Sequence, residues 1–90
     1  MGKEVVLFES EEKRSLADVA AFLHQLGDKV AQGQVILRQG KEELTLDLPN
    51  NVVLELKAEE EAKKNKTQRS LEVEIEWIVG DDSGGSVTLG

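Results

Sequence analysis

The amino-acid sequence predicts one small domain of the α+β class. Its 90 residues suit a single domain, with one amphipathic helical stretch followed by segments in which apolar and polar residues alternate. We expect a two-layer sandwich, with the helix packed on a mainly antiparallel sheet in the order β-α-β-β-β-β. The domain should span residues 1–80, and the Gly-, Ser- and Asp-rich residues 81–90 should form a disordered tail.

A strand and a helix are the first predicted elements. Residues 5–8 are apolar and predict a strand, but the pattern does not say where this strand pairs. Ser15, with Asp18 three residues later, predicts a capped helix start, and Gly33 predicts the helix end. Between them, apolar residues at helical spacing form one stripe: Leu16, Val19, Ala20, Leu23, Leu26 and Val30.

From Gly33 onward the period changes to two, which is typical of strands with one buried face. Tight turns are expected at Gly40-Lys41 and at residues 49–51. The polar residues 60–69 form either the tip of a long hairpin or a short solvated helix, and we favour the tip. The strands are predicted over residues 34–39, 43–48, 53–59 and 71–77.

Three segments carry a resemblance to a known family. They are LFESEEKRS (residues 7–15), QVILRQG (residues 34–40) and, above all, LEVEIEW (residues 71–77). Together they resemble the amphi-Trp domain, which takes its name from an amphipathic strand that ends in Trp. The resemblance covers residues 3–82 and supports the α+β fold. It implies no activity, cofactor or catalytic residue, because the family has no established biochemical function.

Composition excludes several classes of function. The net charge of −7 opposes general binding to nucleic acids and to anionic membranes. Without Cys and with a single His, the chain has no thiolate chemistry and no multi-histidine metal site, and His24 at the flank of the helical stripe is expected to be a boundary residue. We therefore predict no catalytic, cofactor-binding or metal-binding residues. The longest N-terminal apolar run is too short for a signal peptide, so a cytoplasmic location is the expectation.

The last predicted strand carries a row of carboxylates, Glu72, Glu74 and Glu76, about 7 Å apart on one face. The simplest interpretation is a solvated face that keeps the sheet soluble. The alternative is a docking surface for a basic protein partner or for self-association. Its predicted members are Glu43, Thr45, Asp47, Val53, Glu55, Lys57, Glu72, Glu74, Glu76 and Ile78.

The opposite face of the same strand predicts the core. Trp77 shares it with Leu71, Val73 and Ile75 and should pack on the helical stripe. The leading functional hypothesis is a non-enzymatic protein-interaction module. The alternative is a small-ligand-binding or regulatory domain with a pocket between helix and sheet.

Overall fold

A computed structural model describes residues 2–80 and confirms the α+β class. The residues predicted to form a tail, 81–90, lie outside this range. The described chain divides into two compact units, with the boundary in the sequence between Leu48 and Pro49. Its elements are α1 (Leu16–Gln32), β1 (Gln34–Gln39), β2 (Glu42–Asp47), β3 (Val53–Lys63) and β4 (Lys66–Glu76).

Both ends of α1 are fixed by the predicted residues. The Ser15 side chain accepts a hydrogen bond from the Asp18 backbone N–H at 3.0 Å, which satisfies one of the unpaired donors of the first turn. At the other end, Gly33 adopts φ 84°, and its N–H donates to the Val30 carbonyl at 2.9 Å. A left-handed conformation at this position costs a glycine little, because it has no Cβ.

The first unit combines α1 with the hairpin of β1 and β2. The two strands are antiparallel, and Gly40, at φ 59°, lies in the predicted turn between them. Val35 on β1 is buried, whereas much of the α1 stripe is exposed: Leu16 is 88% and Leu23 51% accessible. The Leu48 N–H donates to the Gly33 carbonyl at 2.9 Å, which links the residue after β2 to the residue after α1.

The second unit contains the hairpin of β3 and β4, two antiparallel strands of 11 residues each. Asn65 in the connecting turn has φ 64°, a conformation that Asn tolerates better than most residues. The predicted hairpin over residues 60–69 is confirmed, and the helical alternative is wrong. The strands continue through these polar residues because each finds a cross-strand partner, from Glu60↔Arg69 to Lys63↔Lys66.

Two expectations about the sheet need correction. Among residues 2–80 no strand covers residues 5–8, so the order is α-β-β-β-β. The same residues form two two-stranded sheets, β1–β2 and β3–β4, instead of the one antiparallel sheet that the sequence predicts. Alternation tells which face of a strand is apolar but not which strand lies beside it, and a strand exists only where a neighbour supplies the hydrogen bonds.

Candidate interaction surfaces of the second hairpin

The hairpin of β3 and β4 has one apolar face. Residues directly opposite each other on antiparallel strands project to the same side, so the register defines each face. These side chains are largely open to solvent: Leu56 is 65% and Leu71 74% accessible. We call this surface the apolar face; it consists of the pairs Leu54↔Ile75, Leu56↔Val73 and Ala58↔Leu71.

An ion pair limits the apolar face on the side of the turn. Arg69 precedes Leu71 by two residues on the same side of β4, and its Nε donates to Glu60 Oε1 at 2.7 Å. Both side chains are exposed, so the pair contributes little to stability. At the other end of β4, Trp77 follows the strand and is half-buried.

The opposite side of the hairpin is acidic. Glu55 lies directly across from Glu74, and like charges directly opposite each other destabilise cross-strand pairing. A hydrogen bond with Glu74 and the repulsion between the two carboxylates raise the pKa of Glu55. One row further along, Lys57 faces Glu72, and its Nζ lies 3.5 Å from Glu59 Oε2. We call this side the acidic face; it consists of Val53, Glu55, Lys57, Glu72, Glu74 and Glu76.

The predicted partner surface is thus distributed over two hairpins. The six members of the acidic face share one side of β3–β4, whereas Ile78 follows β4 and is 72% exposed. Glu43, Thr45 and Asp47 lie on β2, in the other unit.

Two of the β2 residues already have partners within their own sheet. Arg38 Nε donates to Glu43 Oε2 at 2.7 Å, and Gln34 Nε2 donates to Asp47 Oδ1 at 2.8 Å. The sequence pattern does not indicate these bonds, because Gln34 and Arg38 become neighbours of β2 only through the cross-strand register. The sequence signal was the Gly40 turn, from which that register follows.

The first unit contains an open groove between α1 and β1. It encloses about 490 Å³ and is lined by both apolar and polar side chains. Phe22 and Leu26 of α1 and Val35 of β1 supply apolar walls, and Gln25 and Lys29 supply polar groups. Such a mixed lining resembles that of small-molecule sites, although those enclose more of the ligand.

Residues 2–80 contain no cluster of three or more His, Cys, Asp or Glu side chains that could hold a metal ion. The row formed by Glu72, Glu74 and Glu76 is straight, so its carboxylates do not converge on one point. No helix in this part of the chain is long and apolar enough to cross a membrane.

Fold and surfaces together define a small α+β domain with two hairpins, the second of which presents an apolar and an acidic face. The chain belongs to the Amphi-Trp domain family, whose model matches residues 1–90. The match confirms the resemblance carried by LEVEIEW and extends it over the whole sequence. No curated protein and no solved structure matches the chain.

Proposed function

We propose that this protein is a non-enzymatic protein-interaction module whose binding element is the β3–β4 hairpin. The observation that carries the proposal is the exposure of the apolar face. Leu54 is 62%, Leu56 65% and Val73 56% accessible to solvent. A two-stranded hairpin is marginally stable in water unless its apolar side is covered. The surface of a partner protein would cover the apolar face.

The energy available from covering this face is substantial. Complete burial of a Leu or Val side chain contributes about 1.5–3 kcal/mol, so each of these half- to three-quarter-exposed residues retains roughly 1–2 kcal/mol of unused burial. The α1 stripe is similarly open, with Leu16 88% and Leu23 51% accessible. The predicted packing of a helix on the sheet is therefore part of the proposal, with the apolar helical stripe supplied by a partner.

The acidic face would act at longer range. Its carboxylates attract a basic partner and accelerate the encounter, while the apolar face provides the contact area. The net charge of −7 strengthens this preference for positively charged surfaces. A cytoplasmic location is compatible with such a module and remains part of the proposal.

A pair of matched double variants tests the assignment. Leu56→Gln with Val73→Gln alters one cross-strand pair of the apolar face; Lys57→Gln with Glu72→Gln alters the adjacent pair of the acidic face. Both leave the net charge unchanged. We expect light scattering and affinity capture to show a protein complex that the first variant loses and the second retains. A wild-type protein that is monomeric and captures nothing would contradict the proposal.

The contribution of the acidic face needs a separate variant, in which Glu72, Glu74 and Glu76 are all replaced by Gln. If the face recruits a basic partner, the captured amount should fall, and most strongly at low salt, where charges are least screened. An unchanged capture would mean that these carboxylates serve solubility alone.

A second candidate function is small-ligand binding, and the groove between α1 and β1 favours it. Its volume of about 490 Å³ lies within the range of ligand pockets. A ligand bound there would raise the melting temperature by mass action. Thermal-shift screening should then find a compound that stabilises the wild type and Lys41→Ala but not Lys29→Ala, because Lys29 lines the groove. Equal stabilisation of both variants would place the ligand elsewhere.

A further inference from the structure

We propose that the partner of the β3–β4 hairpin is a second copy of this chain, paired antiparallel along the outer edge of β4 and centred on Leu71. This inference rests on the proposed function and names its partner. The product is a four-stranded sheet, β3–β4–β4–β3, with two-fold symmetry.

The outer edge of β4 is suited to such pairing. Within residues 2–80, β4 has β3 as its one strand neighbour, so the other edge presents unpaired N–H and C=O groups over 11 residues. Its sequence, KTQRSLEVEIE, contains neither Pro nor Gly, the residues that interrupt a ladder.

Charge complementarity selects the centre of the pairing. With Leu71 opposite Leu71, all 11 residues of both strands overlap. Lys66 then faces Glu76, and Gln68 faces Glu74, each twice by symmetry. No two like charges are opposite each other. Odd-numbered residues face odd-numbered residues and even-numbered residues face even-numbered ones, so the two apolar faces lie on the same side of the sheet.

Neighbouring centres are worse. A centre at Glu72 places this carboxylate opposite its own copy, and a centre at Val73 places Glu72 opposite Glu74 twice. A centre at Ser70 avoids repulsion but leaves the last two residues of β4, one of them Ile75 of the apolar face, without partners.

The edge of β3 is a poorer candidate for the same interaction. Full overlap of two β3 strands, centred on Ala58, places Glu55 opposite Glu61 twice. It also places Leu56 opposite Glu60, which is comparable to Arg69 opposite Val73 in the β4 pairing, so the facing Glu55 and Glu61 decide between the two edges. Like charges directly opposite each other are destabilising, so the charge pattern favours β4 over β3.

The width of the resulting sheet matches the helices that two copies supply. Four strands spaced about 4.8 Å apart are roughly 19 Å wide. An α-helix with its side chains is about 10 Å in diameter, so two helices cover that width. Two copies contribute one α1 each, and both α1 stripes have exposed apolar residues. In this dimer two chains would supply the two layers, whereas the sequence predicts a sandwich with one helix in a single chain.

Single cysteines test the pairing, because the chain contains none of its own. The two copies of residue 71 face each other at the two-fold axis. In Leu71→Cys, their Cα atoms therefore lie within the 4.4–6.8 Å separation that a disulfide requires. Ala58→Cys is the matched control: it lies across from Leu71 on the same face, but its two copies are separated by three strand spacings, about 14 Å. Mild oxidation should link Leu71→Cys into a dimer and leave Ala58→Cys unlinked. Equal linking of both, or linking of neither, would overturn the proposal.

Charge reversal provides a test that leaves the apolar face intact. Lys66→Glu and Glu76→Lys each turn two attractive contacts into repulsive ones, and should weaken dimerisation about tenfold. The double variant restores opposite charges and should regain wild-type affinity in sedimentation equilibrium. Additive weakening in the double variant would contradict the pairing.

The same measurements separate this inference from the proposed function. A monomeric wild type that captures a different protein through the apolar face would refute the self-pairing and leave the interaction module standing. Open-ended oligomers would also refute it, since a two-fold pairing closes at two copies.

Discussion

Replacing Gly33 by Ala should destabilise the first unit by an amount that the backbone alone determines. Gly33 has φ 84° and terminates α1. A Cβ built at this position would lie 3.9 Å from the Leu48 carbonyl oxygen, an ordinary van der Waals distance, so no atom has to move. What remains is the cost of the left-handed conformation for a residue with a side chain, about 1–2 kcal/mol.

Gly27→Ala is the matched control. Gly27 lies inside α1, and a Cβ there would meet no atom within 4 Å. In a helix interior, Ala is favoured over Gly by about 0.5–1 kcal/mol, so this variant should be more stable than the wild type.

Urea denaturation followed by the helical circular-dichroism signal measures both changes. We expect the free energy of unfolding to fall for Gly33→Ala and to rise for Gly27→Ala, with a difference of about 2 kcal/mol between them. In thermal melts, 1 kcal/mol corresponds to about 4–8 °C for a chain of this size. If both variants gained stability equally, Gly33 could not occupy the left-handed region, and the assigned end of α1 would be wrong.

Three further predictions concern charge and the second turn. Raising the salt from low to physiological concentration should leave the melting temperature unchanged or raise it, because the ion pairs of residues 2–80 are exposed and the net charge is repulsive; a clear loss of stability would reveal structurally important ion pairs. The raised pKa of Glu55 means that the folded chain binds a proton more tightly there than the unfolded chain does. Glu55 should therefore increase stability as the pH falls from neutral, and this contribution is lost as the pH rises through the raised pKa. Urea titrations should show this part of the pH dependence disappearing in Glu55→Gln, and an unchanged profile would exclude the carboxylate pair as its source. Asn65→Gly should stabilise the hairpin and Asn65→Ala destabilise it, each by up to about 1 kcal/mol, because φ is 64° there; the reverse order in thermal melts would contradict the turn geometry.

The elements that depend on near neighbours in sequence could be predicted. Ser15 and Gly33 determine the ends of α1 through hydrogen bonds that span only three residues each. The Gly40 turn likewise connects strands that are adjacent in the chain, and the register of β1 and β2 follows from it. In each case, the residue that makes the contact also provides the sequence signal.

Pairing between distant segments could not be predicted in the same way. Residues 5–8 have a strand-like composition, but composition does not supply a neighbouring strand. At residues 60–69 the sequence predicts the hairpin tip but not the length of its strands. Both strands extend through these polar residues because the Asn65 turn aligns them, with Glu60 bound to Arg69.

For the candidate site, alternation predicted which side chains share a face. The acidic face of β3–β4 follows from the period of two alone. The large exposure of Leu56 and Leu71 did not follow from it, because the same alternation describes a buried core and an interface. Only the accessible area of each side chain distinguishes a buried core from an interface.

The labelling rate of a single cysteine on each face of β3 tests the central claim most directly. Leu56 and Glu55 are adjacent and both exposed in the isolated chain, and the protein contains no other cysteine. If protein covers the apolar face in solution, Leu56→Cys should react with a maleimide far more slowly than Glu55→Cys, and the difference should shrink on dilution as the complex dissociates. Equal rates at every concentration would show that nothing covers the apolar face and would contradict the account.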